Sequence, residues 1–172
     1  MDSLKQYIGI DPSFREKGFA VCVIGGGEAV FKVFKGFIDF VEWLNLYKRS
    51  NDYFEGLYLD IKICIENSNL TNTTFDMRGS KQLIAKVSRD VGKNQAISQI
   101  TVDYCRLLFG VDAVTELSPL QKGAKIENNI IENDVVFRAI ANDAGITLTN
   151  YKGNKNEQDK RDAFMLALKI YK

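Results

Sequence analysis

The stretch Tyr7-Ile8-Gly9-Ile10-Asp11-Pro12-Ser13, followed after a polar turn by Gly18-Phe19-Ala20-Val21-Cys22-Val23-Ile24, decides how the chain is read. Both runs are apolar and rich in branched side chains, the pattern of buried strands, and Pro12 with Ser13 ends the first. Asp11 therefore stands at a strand end. A carboxylate there is held by a rigid sheet yet opens onto a loop where an ion or a phosphate can reach it. Asp-Pro is also ordinary turn chemistry, so the acid gains meaning only from what the rest of the chain brings to it.

Working outward, Gly25-Gly26-Gly27 reads as a hairpin turn, and Ala29 to Lys35 alternates apolar and basic residues as a third strand. No Gly-Lys-Ser/Thr follows the glycines, which argues against a phosphate cradle. Phe37 to Tyr47 has helical spacing, with Phe37, Phe40, Val41 and Leu44 on one face. Leu57 to Glu66 is a fourth strand and, like the first, it closes in an acid. Two helical stretches, Ser80 to Asp90 and Asn94 to Phe109, come next, then a short strand from Val111 to Leu117 and a loop carrying Lys122 and Lys125. Asn128 to Ala144 reads as a helix and Asn150 to Gln158 as a polar, mobile segment. The last helix runs from Asp159 to Ile170.

A chain of 172 residues with 45% hydrophobic content suits a single α/β domain spanning 1–172. No apolar run approaches the roughly 20 residues of a membrane span, and the first residues lack a basic and apolar leader pattern, so no membrane association and a cytoplasmic location are expected. Cys22, Cys64 and Cys105 lie singly inside apolar runs, as reduced packing residues do. Histidine is absent, which removes the usual general base and every histidine-containing metal cluster. The net charge of +1 is not that of a strongly basic nucleic-acid binder. Between Arg78 and Arg106, however, Arg78, Lys81, Lys86, Arg89, Lys93 and Arg106 stand against only Asp90 and Asp103, a local basic segment of a pattern shared by nucleic-acid contacts and, more often, solvated helix faces.

Asp159 and Asp162, three residues apart, share one face of the first turn of the last helix. Asp159 alone would serve as an N-cap, but Asp162 precedes an almost unbroken apolar run and needs a partner there. Brought together, Asp11, Glu66, Asp159 and Asp162 would form an oxygen-only site suited to Mg²⁺ or Mn²⁺. Two such ions can drive phosphodiester hydrolysis without a histidine.

These pieces in this order (Ile8 to Ser13 with Gly18-Phe19-Ala20, Ile65-Glu66-Asn67, Gly92-Lys93-Asn94-Gln95, the lysine-bearing loop, and Asp159 to Ala163) resemble the RuvC-like Holliday junction resolvases of the RNase H-like superfamily. The resemblance implies an RNase H-like fold, a five-stranded mixed sheet with strands 1 to 3 antiparallel, extended by two parallel strands and flanked by helices. It implies that the four acids hold two metal ions at one sheet edge and that Lys122 or Lys125 lies near the scissile phosphate. It further implies a homodimer cutting opposing strands of a four-way DNA junction, with Asn94 to Phe109 in the dimer-facing helix pair. Such resolvases carry an aromatic residue shortly after the glutamate that enters the junction; here Asn69 and Leu70 occupy that region, and Phe75 is the nearest aromatic. The same acids also suit an RNase H-type enzyme cutting RNA in a hybrid, or a binding module that has kept the fold without turnover.

Overall fold

A computed structural model describes residues 4–13, 18–52, 59–70, 80–119, 133–153 and 157–171. Three antiparallel strands, β1 (Leu4–Asp11), β2 (Phe19–Gly25) and β3 (Glu28–Phe34), are followed by helix α1 (Phe37–Asp52) and strand β4 (Leu59–Glu66). Helix α2 (Lys81–Phe109), strand β5 (Val114–Leu117), helix α3 (Asp134–Asp143), strand β6 (Thr147–Thr149) and helix α4 (Gln158–Ile170) complete the order. The strands form one mixed α/β sheet in the order β5-β4-β1-β2-β3-β6, with β4 parallel to β1, β5 parallel to β4 and β6 parallel to β3. Among the described residues no helix is long and apolar enough to cross a membrane.

The sheet exceeds the expected five strands by one. Thr147–Thr149 pairs with Glu28–Val30, and the Thr147 N–H donates to the Gly27 carbonyl at 2.9 Å. Three residues are too few to display a period of two, so sequence pattern alone passes over them. A second difference concerns the two expected helices after Ser80, which are one helix of 29 residues. Gly92 lowers helix propensity without ending the helix, because the helix has strong ends elsewhere. The Ser80 side chain accepts from the Leu83 N–H, and the Gly110 N–H returns to the Arg106 carbonyl at 2.9 Å with Gly110 at φ 91°. Asn133 caps α3 by accepting from the Val135 N–H at 3.0 Å. The stretch 128–132, expected to belong to that helix, lies outside the described residues. Gly26 and Gly27 turn the β2–β3 hairpin with φ of 58° and 79°, as a type I′ turn demands.

Alternation along the strands divides the core in two. Tyr7, Ala20, Cys22, Ile24, Ala29 and Phe31 pack with Phe137 of α3 and with Ala163 and Phe164 of α4. On the other face Ile8, Ile10, Phe19, Val21, Ile63 and Ile65 pack with Phe40 and Leu44 of α1 and with Val102 and Cys105 of α2. Ile8 and Ile10 are fully buried, each contributing about 1.5–3 kcal/mol of hydrophobic stabilisation. The three cysteines are buried free thiols; burial pushes Cys105 up to about 12 and Cys22 well above its ordinary value, so both stay protonated.

Helix α4 runs antiparallel to β1 and touches it backbone to backbone. Tyr7 meets Tyr171 edge to face, with ring centroids 5.2 Å apart. Two residues further along β1, a Cβ on Gly9 would lie 1.9 Å from the Ala163 carbonyl oxygen and 2.5 Å from the Ala167 nitrogen. Only glycine admits the helix this closely. Gly9→Ala is expected to lower stability by about 3 kcal/mol, the upper end of overpacking costs. Gly92→Ala adds a Cβ with nothing within 4 Å and should stabilise by about 1 kcal/mol. Urea midpoints of the two variants, moving in opposite directions, check the pair.

Candidate metal centre

Tyr7, Gly9 and Asp11 alternate onto the face of β1 that α4 covers. Along α4, Asp159, Ala163 and Ala167 recur every four residues and so follow one stripe, which Asp162 borders. With Gly9 seated against Ala163 and Ala167, the next step along the antiparallel pair sets Asp11 against the first turn of α4. One carboxylate oxygen from each of Asp11, Asp159 and Asp162 lies within 4.8 Å of the others, and all three residues are half-buried. Gln158 Nε2 donates to Asp162 Oδ1 at 3.2 Å. Asp159 is not the N-cap; Glu157 occupies that position and makes no side-chain cap bond.

Two unit charges within 4.8 Å of each other repel by about 3 kcal/mol or more at an effective dielectric near 20. A divalent cation converts that repulsion into attraction. Three oxygen donors with no sulfur or imidazole fit the hard ions Mg²⁺ and Mn²⁺, which take carboxylates together with water or phosphate oxygens.

Glu66 ends β4, the parallel neighbour of β1. Ile10 pairs with Ile65, so the next step of the register sets Glu66 beside Asp11 on the same face. Its carboxylate nevertheless lies outside the group that meets within 4.8 Å. The structure thus brings together three of the four acids singled out by sequence and sets the fourth alongside them.

The start of α4 is anchored by a group that sequence reasoning missed. Glu157 is 7% exposed. Its Oε2 accepts from the Lys152 and Gly153 backbone N–H groups at 2.8 and 2.7 Å, and Lys160 Nζ donates to its Oε1 at 2.7 Å. Lys160 also donates to the Asn150 carbonyl at 3.0 Å. The expectation of a mobile segment here is therefore corrected for 150–153 and Glu157, which are tied down; 154–156 lie outside the described residues. Burial would push the Glu157 carboxyl up, but the Lys160 and backbone hydrogen bonds outweigh it and hold the group below its ordinary value. Next to this anchor, Tyr151 donates to Asp134 at 2.7 Å and Arg138 lies 5.1 Å from the Tyr151 ring centroid. The Tyr151 hydrogen bond, helped by Arg138, holds Asp134 below the usual carboxylate range. Arg161, between the two α4 aspartates, is 2% exposed.

Lys81, Lys86, Arg89 and Lys93 are exposed on the first half of α2. Phe75, Arg78, Lys122 and Lys125 lie outside the described residues. No family model matches this chain, and no curated protein matches it in sequence.

Glu157→Gln should cost about 1–3 kcal/mol at neutral pH, the cost of weakening charge-assisted bonds to a buried acceptor. Because the folded-state carboxyl is depressed, its contribution is complete above the unfolded-state value and disappears as pH falls through the folded one. The stability difference between wild type and variant should therefore be constant near neutrality and shrink below about pH 4. Urea unfolding across that range measures it.

Proposed function

We propose that this protein is a metal-dependent endonuclease of the RuvC-like, RNase H-like kind that hydrolyses phosphodiester bonds in branched DNA, four-way junctions foremost. The observation that carries the reading is the meeting of Asp11, Asp159 and Asp162 within 4.8 Å, since these acids come from the first strand and the last helix and nothing local in the sequence forces them together. The strand order supports it as well. Three antiparallel strands extended on the β1 side by parallel β4 and β5 are the arrangement implied by the family resemblance, with β6 added at the far edge.

Bound Mg²⁺ or Mn²⁺ ions would supply water activation and charge neutralisation at the leaving oxygen. The chain's own residues do the holding. Asp11 contributes a carboxylate fixed by the sheet, and Asp159 and Asp162 contribute two more fixed by one helical turn. Glu66, on the neighbouring strand end, is the fourth acid facing the same space. The absence of histidine leaves carboxylates as the chain's means of assembling the site. A homodimer would set two such sites against opposing strands of a junction.

The test is cleavage of end-labelled four-way junction, linear duplex and RNA-DNA hybrid, with and without Mg²⁺. Paired nicks on opposing junction arms, reduced roughly a hundredfold or more in Asp11→Asn and in Asp162→Asn, are expected. Undiminished cleavage in either variant overturns the assignment. Cleavage of the hybrid alone keeps the site but changes the substrate to RNA.

A further inference from the structure

The strand that ends in Glu66 is clamped at the very next residue. Asn67 is 1% exposed and every face of it is used. Its Nδ2 donates to Glu116 Oε2 at 2.6 Å, its Oδ1 accepts from the Asn69 N–H at 3.0 Å, and its backbone N–H donates to the Leu117 carbonyl at 2.8 Å. Glu116 in turn accepts from the Arg106 guanidinium of α2. Asn69 is held as well, its Nδ2 donating to the Gln95 carbonyl of α2 at 2.9 Å. One side chain thus ties the end of β4 to β5 and to α2, to the latter directly through Gln99 Oε1, which accepts from Asn67 Nδ2 at 3.4 Å, and indirectly through Glu116 and Asn69.

Such a clamp is a costly way to hold a fold together. A buried amide is tolerated only while both its donor and its acceptor are satisfied, and an apolar residue would fill the same space without that demand. What the amide supplies is direction. A donor toward Glu116 and an acceptor toward Asn69 fix the rotation of the chain at Asn67. Side chains alternate, so fixing Asn67 toward α2 fixes Glu66 toward the opposite face, where Asp11 stands.

We infer that Asn67, oriented by Glu116, is a positioning residue that aims Glu66 as the fourth carboxylate toward the ion held by Asp11, Asp159 and Asp162. The role rests on the proposed metal site and extends it to a polar network on the other face of the sheet.

The test measures Mn²⁺ binding by the paramagnetic resonance signal of the free ion, with thermal unfolding followed in parallel. Asn67→Ala should weaken Mn²⁺ binding by roughly 10- to 100-fold, the usual effect of removing a group that orients a ligand. In a Glu66→Gln background the same change should alter binding by less than about twofold, because its effect passes through Glu66. Asn67→Asp sets a carboxylate against Glu116 and should weaken binding similarly. Asn67→Asp combined with Glu116→Gln exchanges donor and acceptor at unchanged net charge, and should recover binding to within about threefold of wild type. The inference is overturned if Asn67→Ala binds Mn²⁺ as wild type does. Equal losses with and without Glu66, or no recovery in the exchanged pair, overturn it too, since these are what a purely structural residue would give. A folded wild type that binds no Mn²⁺ overturns the metal site itself, and this role falls with it.

Discussion

The candidate site depends on a contact that contains no functional group. At Gly9 the backbone of β1 meets the backbone of α4, at a separation that would set a Cβ only 1.9 Å from the Ala163 carbonyl oxygen. Any side chain at that point would lift the helix off the sheet. Because Asp11 is two residues from Gly9, and Asp159 and Asp162 precede Ala163 within one turn, lifting the helix there would separate the acids. The rest of the α4 face reinforces the contact. Ala163 and Ala167 are fully buried small residues on the helix, while Phe164 fills the space beside them against Phe31 and Phe137. Small side chains permit the approach and large ones supply the burial, an alternation that close-packed interiors require.

Bringing like charges together then calls for supports. Three carboxylates within 4.8 Å push apart unless a cation draws them in, so the elements that carry them must resist movement by other means. At the helix end this resistance comes from Glu157, which gathers two backbone N–H groups and the Lys160 ammonium. At the sheet end it comes from the pairing of β1 with β2 on one side and β4 on the other, and from the Asn67 and Glu116 network beyond β4. Apart from the strand pairing, these supports are polar groups at least half-buried, and none of their side chains belongs to the acids they serve. That is the usual form of a preorganised site, in which orientation is fixed before the ligand arrives.

The sequence was legible where a residue's meaning followed from its neighbours. Asp11 and Glu66 each close an apolar run, and Asp159 and Asp162 share a helix face, so their elements and ends could be read directly; that three of these acids meet could be argued only through a resemblance spanning the chain. Polar pairing that crosses from one element to another was not legible. Nothing near Asn67 announces Glu116, and nothing near Glu157 announces that its partners are the backbone of Lys152 and Gly153. Short elements were hidden as well, since β6 is held by pairing with β3 rather than by any pattern of its own. The break expected between Asp90 and Asn94 is absent, because Gly92 weakens the helix only locally while the caps at Ser80 and Gly110 bound it as a whole.

The topology adds a constraint on when the site can exist. Asp11 belongs to the first strand and its partners to the last helix, so the three acids meet only where β1 is paired with β2 and β4 and α4 lies across them. Contacts between distant parts of a chain are costly in loop-closure entropy, and they form late unless other contacts have already brought the ends together. Here β4 does that work by pairing in parallel with β1 along the whole register from Leu4 to Ile10. The sheet is therefore a template whose completion creates the site. Carboxylate repulsion opposes the seating of α4 against β1, and under the proposed function a bound cation would favour it, so metal binding and the seating of α4 would be linked through a single free energy.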